Sequence, residues 1–239
     1  MPERANVFKL AVFGIRRIMP TAFDIGTVFG RLREAMRMYP RAAMFQLAEE
    51  GYSSPFEQLI SCMISIRTYD EVSAPVSRRL FARAKTPQAM SELSVAEIER
   101  LIAKSTYAER KAGQIWAIAT TLVENYDGEL PCDETVMLSF KGVGPKCAHL
   151  ALGIACRQPY ISVDVHVHRV MNRWGYVATK TPEKTTKALE EKLPKGYWIE
   201  TNQLLMPFGK NICKGQNPQC DRCPLADMCP RIGLVNVSR

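Results

Sequence analysis

The stretch DETVMLSFKGVGPKCAHLALGIA, residues 133–155, decides the fold. Its two ends, Asp133–Phe140 and Pro145–Ala155, have helical patterns, and a short glycine loop separates them. Glycines on either side of Val143 permit a tight turn and close approach by another backbone. A proline suits the first turn of the second helix, where no hydrogen-bond donor is lost. The stretch therefore predicts two helices joined by a hairpin.

The rest of the chain has the same helical character. Helical periodicity or helix-start signals recur along it, and strand signals are nearly absent. Further helices are predicted at Phe29–Tyr39, Leu59–Ile66, after Pro87, after Ser94, and at Glu109–Tyr126, Glu183–Lys192 and Leu204–Phe208. We therefore predict an all-α protein, with boundaries near Gly51 and Gln158.

The hairpin is a candidate site for a DNA backbone. Its turn exposes backbone N–H groups at the N-terminus of the following helix, which is a natural phosphate site. Contacts of this kind hold phosphates without reading the base sequence. Gly142, Val143 and Gly144 are therefore candidate DNA-binding residues, and the net charge of +8 favours a polyanionic partner. A basic protein with no nucleic-acid role is the alternative.

Lys146 and Asp164 are candidate catalytic residues. Lys146 falls in the first turn of the second helix, where the macrodipole disfavours its charged form and burial would lower its pKa further. A neutral amine is the nucleophilic form of lysine. Asp164, eighteen residues on, is placed to start a helix and to lie ionised near Lys146. A phosphate-pairing lysine and a plain N-cap aspartate are the alternatives.

Four cysteines share one short stretch near the C-terminus: Cys213, Cys220, Cys223 and Cys229. Their spacing is C-x6-C-x2-C-x5-C, and a thiolate set this compact is typical of a metal centre. Structural zinc sites usually join two short-spaced pairs, whereas this stretch has one such pair with a single cysteine on each side. The spacing therefore favours a 4Fe-4S cluster over zinc.

The other cysteines favour an intracellular compartment. They lie scattered in apolar helical patterns, so we expect buried, reduced thiols rather than a disulfide framework at Cys62, Cys132, Cys147 and Cys156. We expect a cytoplasmic protein, nucleoid-associated if bacterial, with no membrane partner, since no apolar run is long enough to span a bilayer. The basic, apolar segment Asn6–Phe23 favours a packed amphipathic helix or a disordered extension over a transit peptide.

Together these motifs resemble the endonuclease III family of DNA glycosylases, within the helix–hairpin–helix superfamily. Three signatures coincide: G-V-G-x-K, V-D-x-H eighteen residues after the lysine, and the cysteine spacing. The similarity extends from about Ser53 to Cys229. It implies a six-helix barrel over residues 51–158, and a cluster domain built from residues 1–50 and 159–239. A DNA-binding cleft would lie between the two.

The resemblance implies a function in base-excision repair. A bifunctional DNA N-glycosylase and AP lyase of this family would remove oxidised pyrimidines, such as thymine glycol, and cut the strand by β-elimination. Lys146 would attack C1′ of a flipped-out nucleotide, and Asp164 would assist. The implied partner is double-stranded DNA containing damaged bases or abasic sites, and we expect a monomer. Lys210 and Lys214 would contact phosphates beside the cluster loop.

Several positions depart from the family pattern. Arg67 stands where many relatives have a glutamine, and Thr106-Tyr107 stands where a Gly-Leu wedge enters the duplex. We expect Arg67 and Tyr107 in the DNA interface, with Tyr107 stacking between bases. Lys141 replaces a proline before the hairpin glycine and adds a possible phosphate contact.

Two alternative functions stay open. One is a uracil or mismatch glycosylase of the same superfamily, although relatives that act on mismatched thymine or uracil often lack the lysine found here at position 146. Adenine-acting relatives need a carboxylate where this chain has Cys62. The other is a non-catalytic iron–sulfur DNA-binding protein, which the retained Lys146–Asp164 pair disfavours.

Overall fold

The structure is a computed structural model that describes residues 23–234. Within this range the chain is helical and no residue lies in a strand, so the all-α prediction is confirmed. The α-helices are α1 (Ile25–Met36), α2 (Ala43–Glu49), α3 (Pro55–Ser65), α4 (Asp70–Arg83), α5 (Pro87–Ser91), α6 (Val95–Ile102), α7 (Ala108–Asn125), α8 (Glu134–Ser139), α9 (Pro145–Ala155), α10 (Val165–Arg173), α11 (Pro182–Lys192) and α12 (Trp198–Asn211). The prediction for Asn6–Phe23 lies outside the described residues, apart from Phe23 itself.

Capping residues in the sequence mark the first turns of several of these helices. The Ser54 side chain accepts a hydrogen bond from the backbone N–H of Glu57, whose carboxylate accepts one from the N–H of Ser54, which forms a capping box at α3. Ser94 and Glu97 form the same box at α6. These contacts satisfy N–H groups that the helix itself leaves unpaired.

Two buried apolar clusters form the core. The first lies within α2–α9 and runs from Ala42 to Leu152. The second combines α1 with residues from Ile161 to Met228. Because α2 packs into the first cluster, we propose that the first domain boundary lies before Ala42 rather than near Gly51. The division into two domains otherwise stays a prediction.

Helix α3 lies at the centre of the first cluster. All of its residues from Phe56 to Ile64 are buried, and it packs against α4, α7 and α9. Burial on all sides fits the apolar majority of α3, and its polar residues Glu57, Gln58 and Ser61 are buried with it. Its C-terminal end therefore has a fixed position next to α9, the helix that carries Lys146.

A disulfide joins the two ends of the hairpin module. Cys132, just before α8, is bonded to Cys156 at the end of α9. The expectation that these two thiols are buried and reduced is therefore wrong, because Cys132 is exposed and the hairpin folds the two residues together. Cys62 and Cys147 are free and buried, as expected.

No helix between residues 23 and 234 is both long and apolar enough to cross a membrane.

Candidate active site

The hairpin forms the tight turn that its glycines permit. Gly142 has a φ of +93°, which favours glycine, and the N–H of Val143 donates to the carbonyl of Phe140 at 3.1 Å. Gly144 is the N-cap of α9, and its carbonyl accepts from the N–H groups of Cys147 and Ala148. The turn is thus folded back on α8, with Gly142 at the surface.

Lys146 and Asp164 come together through α9 and α10. Asp164 is the N-cap of α10, and its Oδ1 accepts from the backbone N–H groups of His166 at 2.9 Å and Val167 at 2.8 Å. The hydroxyl of Ser162 donates to the carbonyl of Lys146 at 3.1 Å and ties the two segments together. Asp164 is therefore a cap, as its alternative role predicted, and it is also close enough for its charge to act on Lys146.

The pKa of Lys146 is raised, so the expectation of a lowered pKa is wrong. The largest cause is Cys62, followed in the same direction by Cys147, Asp164 and Asp70, whereas burial opposes them. A hydrogen bond from Cys147 is the largest of the effects that lower the pKa of Cys62 to about 7. Acidic groups therefore outweigh the helix dipole and burial, and the free protein holds Lys146 as an ammonium at neutral pH.

Arg67 and Tyr107 meet at the surface from two different loops. Both have left-handed backbone conformations, with φ of +56° and +61°. The Arg67 guanidinium carbon lies 5.9 Å from the centroid of the Tyr107 ring, which is a cation–π contact. The structure thus places Arg67 and Tyr107 in direct contact.

The predicted phosphate contacts have different environments. Lys141 is exposed beside the hairpin. Lys210 forms an ion pair with Glu71 that links α12 to α4, so its ammonium already has a partner in the protein. Lys214 is half-buried at the start of the cysteine loop, and its carbonyl accepts a hydrogen bond from Arg173.

The four C-terminal cysteines line one largely apolar cavity together with Trp174 and Phe208. Burial, reinforced by the neighbouring cysteines, raises the pKa of Cys223 to about 12 and raises that of Cys229 in the same way. Thiols in such a cavity ionise when a cationic metal centre shares it. Between residues 23 and 234, no three His, Cys, Asp or Glu side chains converge closely enough to share one metal ion.

Comparison with known proteins agrees with this geometry. A family profile described as "HhH-GPD superfamily base excision DNA repair protein" matches residues 60–195, and one described as "Iron-sulfur binding domain of endonuclease III" matches residues 213–229. Endonuclease III of Thermotoga maritima is 38% identical over 197 residues, which cover 82% of this chain and 89% of that protein. The chain belongs to the endonuclease III family.

Other relatives of the endonuclease III family support the same assignment. Endonuclease III-like protein 1 of Mus musculus is 38% identical over 178 residues, which cover 73% of this chain but 59% of that longer protein. A solved structure titled "Structure of a Trapped Endonuclease III-DNA Covalent Intermediate: Estranged-Adenine Complex" superposes with a TM-score of 0.72 at 30% identity. The superposition covers 86% of this chain and 95% of the chain in that structure.

Membership of the endonuclease III family confirms the main predictions at the level of class. The chain is a base-excision-repair enzyme of the DNA glycosylase and AP lyase class, with a helix–hairpin–helix fold. The 4Fe-4S cofactor is confirmed by the iron–sulfur domain at residues 213–229.

Sequence reasoning missed two buried basic residues of this endonuclease III family member. Arg173 holds the cysteine loop through hydrogen bonds to the carbonyls of Cys213 at 3.2 Å and Gly215 at 2.8 Å. Lys111 is also buried, although it follows Glu109 and Arg110 in the first turn of α7, a pattern typical of a solvated helix face. Its burial could have been predicted, because Lys111 has the helical spacing of the apolar residues Ile115, Ile118 and Leu122 on the buried face of α7.

Proposed function

We propose that this protein is a bifunctional DNA N-glycosylase and AP lyase that removes oxidised pyrimidines of the thymine glycol class from double-stranded DNA. The observation that supports this most directly is the Lys146–Asp164 pair beside the hairpin. The Asp164 charge contributes to the raised pKa of Lys146. A nucleophile with an adjacent base is the arrangement that covalent catalysis requires.

Lys146 acts as the nucleophile. Its ammonium first loses a proton, and we assign Asp164 as the acceptor because the charge of that carboxylate acts on the lysine and its position is already fixed at the start of α10. The neutral Nζ then attacks C1′ of the extruded nucleotide, the N-glycosidic bond breaks, and the base leaves with a proton. The departing base takes the proton that Asp164 accepted, and the carboxylate, ionised again, stabilises the positive charge that develops on the sugar.

Strand cleavage follows from the same covalent link. The sugar ring then opens: the C1′–O4′ bond breaks as Nζ loses a proton and O4′ gains one, and the protonated Schiff base left between Lys146 and C1′ acidifies the C2′ protons. Loss of one of them to a base breaks the C3′–O bond and releases the 3′ part of the strand. No added nuclease is needed for this step, and it distinguishes a bifunctional enzyme from a glycosylase that only hydrolyses the base.

The DNA interface combines backbone and side-chain groups around this centre. The hairpin residues Gly142, Val143 and Gly144 offer backbone contacts to phosphates, and Lys141, Lys210 and Lys214 add positive charge. Arg67 and Tyr107 enter the space left by the extruded base. The arginine is longer and more cationic than the usual glutamine, so it also sets the preference for the opposite base.

The cluster has a supporting role in this account. Cys213, Cys220, Cys223 and Cys229 hold the 4Fe-4S centre, which supplies a rigid anchor for the loop of residues 214–219 at the phosphates. The base chemistry uses Lys146 and Asp164. The enzyme acts as a monomer in the cytoplasm, where reduction would open the Cys132–Cys156 disulfide.

A single-turnover assay tests the lesion preference. Matched duplexes carry thymine glycol opposite adenine, uracil opposite guanine, or no lesion, and each reaction is analysed with and without piperidine. We expect thymine glycol to be excised and the strand to be cut without piperidine. Faster release of uracil, or strand breaks that appear only after piperidine, would contradict the proposal.

A further inference from the structure

Lys111 is a buried cation that the proposed chemistry does not use. It lies in the first turn of α7 and is 4% exposed. Among residues 23–234, no aspartate or glutamate forms an ion pair with it, since its ammonium instead meets neutral oxygen atoms. A buried, unpaired lysine is costly, so its retention calls for a physical reason.

The Lys111 ammonium caps the C-terminal end of α3. Its Nζ donates to the carbonyl of Ile64 at 2.7 Å, to the carbonyl of Ile66 at 2.9 Å and to Thr68 Oγ1 at 3.4 Å. These contacts use all three N–H donors of the ammonium. A helix leaves its last carbonyls unpaired and has partial negative charge at that end, so a cation is favoured there.

The same contacts join the two loops that present Arg67 and Tyr107. Thr68 Oγ1 accepts from Lys111 and also from the backbone N–H of Thr106 at 3.0 Å. The Thr106 hydroxyl donates to the carbonyl of Arg67 at 2.8 Å. Lys111 therefore contacts both neighbours of Arg67, Ile66 and Thr68, directly, and it is connected through Thr68 to Thr106, the residue before Tyr107.

The exposed pair needs such support because its backbone is strained. A non-glycine residue in the left-handed region costs about 1–2 kcal/mol, and both Arg67 and Tyr107 are in it. Tyr107 is 57% exposed and receives little support from packing. Hydrogen bonds from the buried side of the loops hold the two residues in place.

We propose that Lys111 is a positioning residue for lesion recognition, which acts by holding Arg67 and Tyr107 in the conformation that enters damaged DNA. Because the loops are ordered in the free protein, the entropic cost of ordering them falls on folding rather than on DNA binding. This inference rests on the proposed role of Arg67 and Tyr107 in the DNA interface.

The surroundings of Lys111 agree with a role behind the catalytic centre. Burial lowers its pKa to about 8, Cys147 and Cys62 oppose that change, and Lys146 adds to it. Lys111 and Lys146 are thus both close enough to the buried thiols of Cys62 and Cys147 to feel their charge. Lys111 has no path to the DNA itself, because its three donors point at α3 and Thr68.

A double-mutant cycle tests the proposal on the full, cluster-loaded protein. Lys111→Met is made in the natural protein and in an Arg67→Ala/Tyr107→Ala background, with Lys104→Met, an exposed lysine, as the matched control. The readout is the ratio of the Kd for an undamaged duplex to the Kd for the same duplex with a tetrahydrofuran abasic analogue. This readout requires no catalysis.

We expect Lys111→Met to lower the discrimination ratio about tenfold in the natural protein and by less than about twofold in the double-alanine background, since coupled residues are not additive. Lys104→Met should leave the ratio unchanged. Equal losses in both backgrounds, or no loss in the natural protein, would overturn the proposal.

Two further measurements keep the outcome interpretable. Thr68→Val removes the hydroxyl that links Lys111 to Thr106 while it keeps the cation, so it tests the same connection if Lys111→Met fails to fold. Thr68→Val should lower the discrimination ratio in the natural protein and change it much less in the Arg67→Ala/Tyr107→Ala background. Borohydride trapping of the natural protein on an abasic duplex is run in parallel. If the natural protein forms no covalent complex but Lys111→Met still lowers the Kd ratio, only the proposed function is contradicted. If the covalent complex forms but Lys111→Met leaves the Kd ratio unchanged, only the positioning role is contradicted.

Discussion

At the scale of single residues, the charge on Lys146 depends on groups from distant parts of the chain. Cys62 comes from α3, Cys147 is the adjacent residue on α9, and Asp164 caps α10. All of them raise the pKa of Lys146, so the lysine must lose a proton before it can act as a nucleophile. Removing the largest cause should therefore change the pH dependence of catalysis in a known direction.

Cys62→Ala should shift the pH profile to lower pH. Lys146 attacks as a neutral amine, so kcat/KM rises with pH through the pKa of Lys146 in the free enzyme. Loss of Cys62 removes the largest contribution that raises this pKa, and the rising limb should move to lower pH. Ser61→Ala, also buried on α3, is the control and should leave the limb in place. An unchanged or upward-shifted limb in Cys62→Ala would refute the assigned cause.

Residue identities could be predicted where spacing carries the chemistry. Lys146 and Asp164 are only eighteen residues apart, and the four clustered cysteines have a recognisable spacing. The sign of the Lys146 pKa shift could not be predicted, because Cys62 lies more than eighty residues away and its contact depends on how α3 packs on α9.

At the scale of elements, the hairpin depends unequally on its two glycines. Gly142 has a φ of +93°, and a Cβ at this position would come within 2.6 Å of the Gln114 side chain. Gly144 has an extended backbone with φ of −118° and nothing within 4 Å of a Cβ. The turn therefore requires glycine at the first position for conformational reasons.

Gly142→Ala should destabilise the fold and weaken binding to damaged and undamaged duplexes alike. Backbone strain costs about 1–2 kcal/mol in the free energy of unfolding, and the displaced turn loses phosphate contacts that carry no sequence information. Denaturant titration and duplex affinity measure the two effects. Gly144→Ala is the matched control for stability and should change it by less than about 0.5 kcal/mol. Equal stability losses in the two variants would contradict this account.

The Cys132–Cys156 disulfide should stabilise the hairpin module. A crosslink across a 24-residue separation restricts the unfolded chain and contributes about 3 kcal/mol. A reductant that leaves the cluster absorption intact should lower the unfolding free energy of the natural protein by about 2–4 kcal/mol. The Cys132→Ser/Cys156→Ser variant should be equally destabilised and insensitive to the reductant. If the reductant does not change the unfolding midpoint of the natural protein, the predicted stabilisation by this disulfide is contradicted.

Helices with clear capping signals were predictable, and interrupted ones were not. Helix α9 has the predicted bounds, and α3 begins at Pro55, four residues before the predicted Leu59, where a capping box starts it. Helix α4 was not predicted, since Pro75 lies inside it and interrupts the pattern. Helix α12 begins six residues before the predicted Leu204, and tertiary packing carries it through Pro207.

At the scale of the whole molecule, the candidate site combines residues associated with both buried clusters. Lys146 and the hairpin come from the α8–α9 region of the first cluster, and Asp164 precedes the α10 segment of the second. The family resemblance predicted this assembly, whereas composition predicted only an all-α basic protein. The Cys132–Cys156 bond and the place of α2 in the first cluster required the folded chain.

Borohydride trapping on a duplex with one abasic site tests the central claim, that Lys146 is the covalent nucleophile. The natural protein should form a covalent complex in which peptide mapping finds the DNA on Lys146. Lys146→Gln should lose at least about a thousandfold in trapping rate and still bind the duplex. Lys187→Gln, an exposed lysine lining the cavity next to Lys146, should trap normally. Undiminished trapping by Lys146→Gln, or a crosslink mapped to another residue, would contradict the claim.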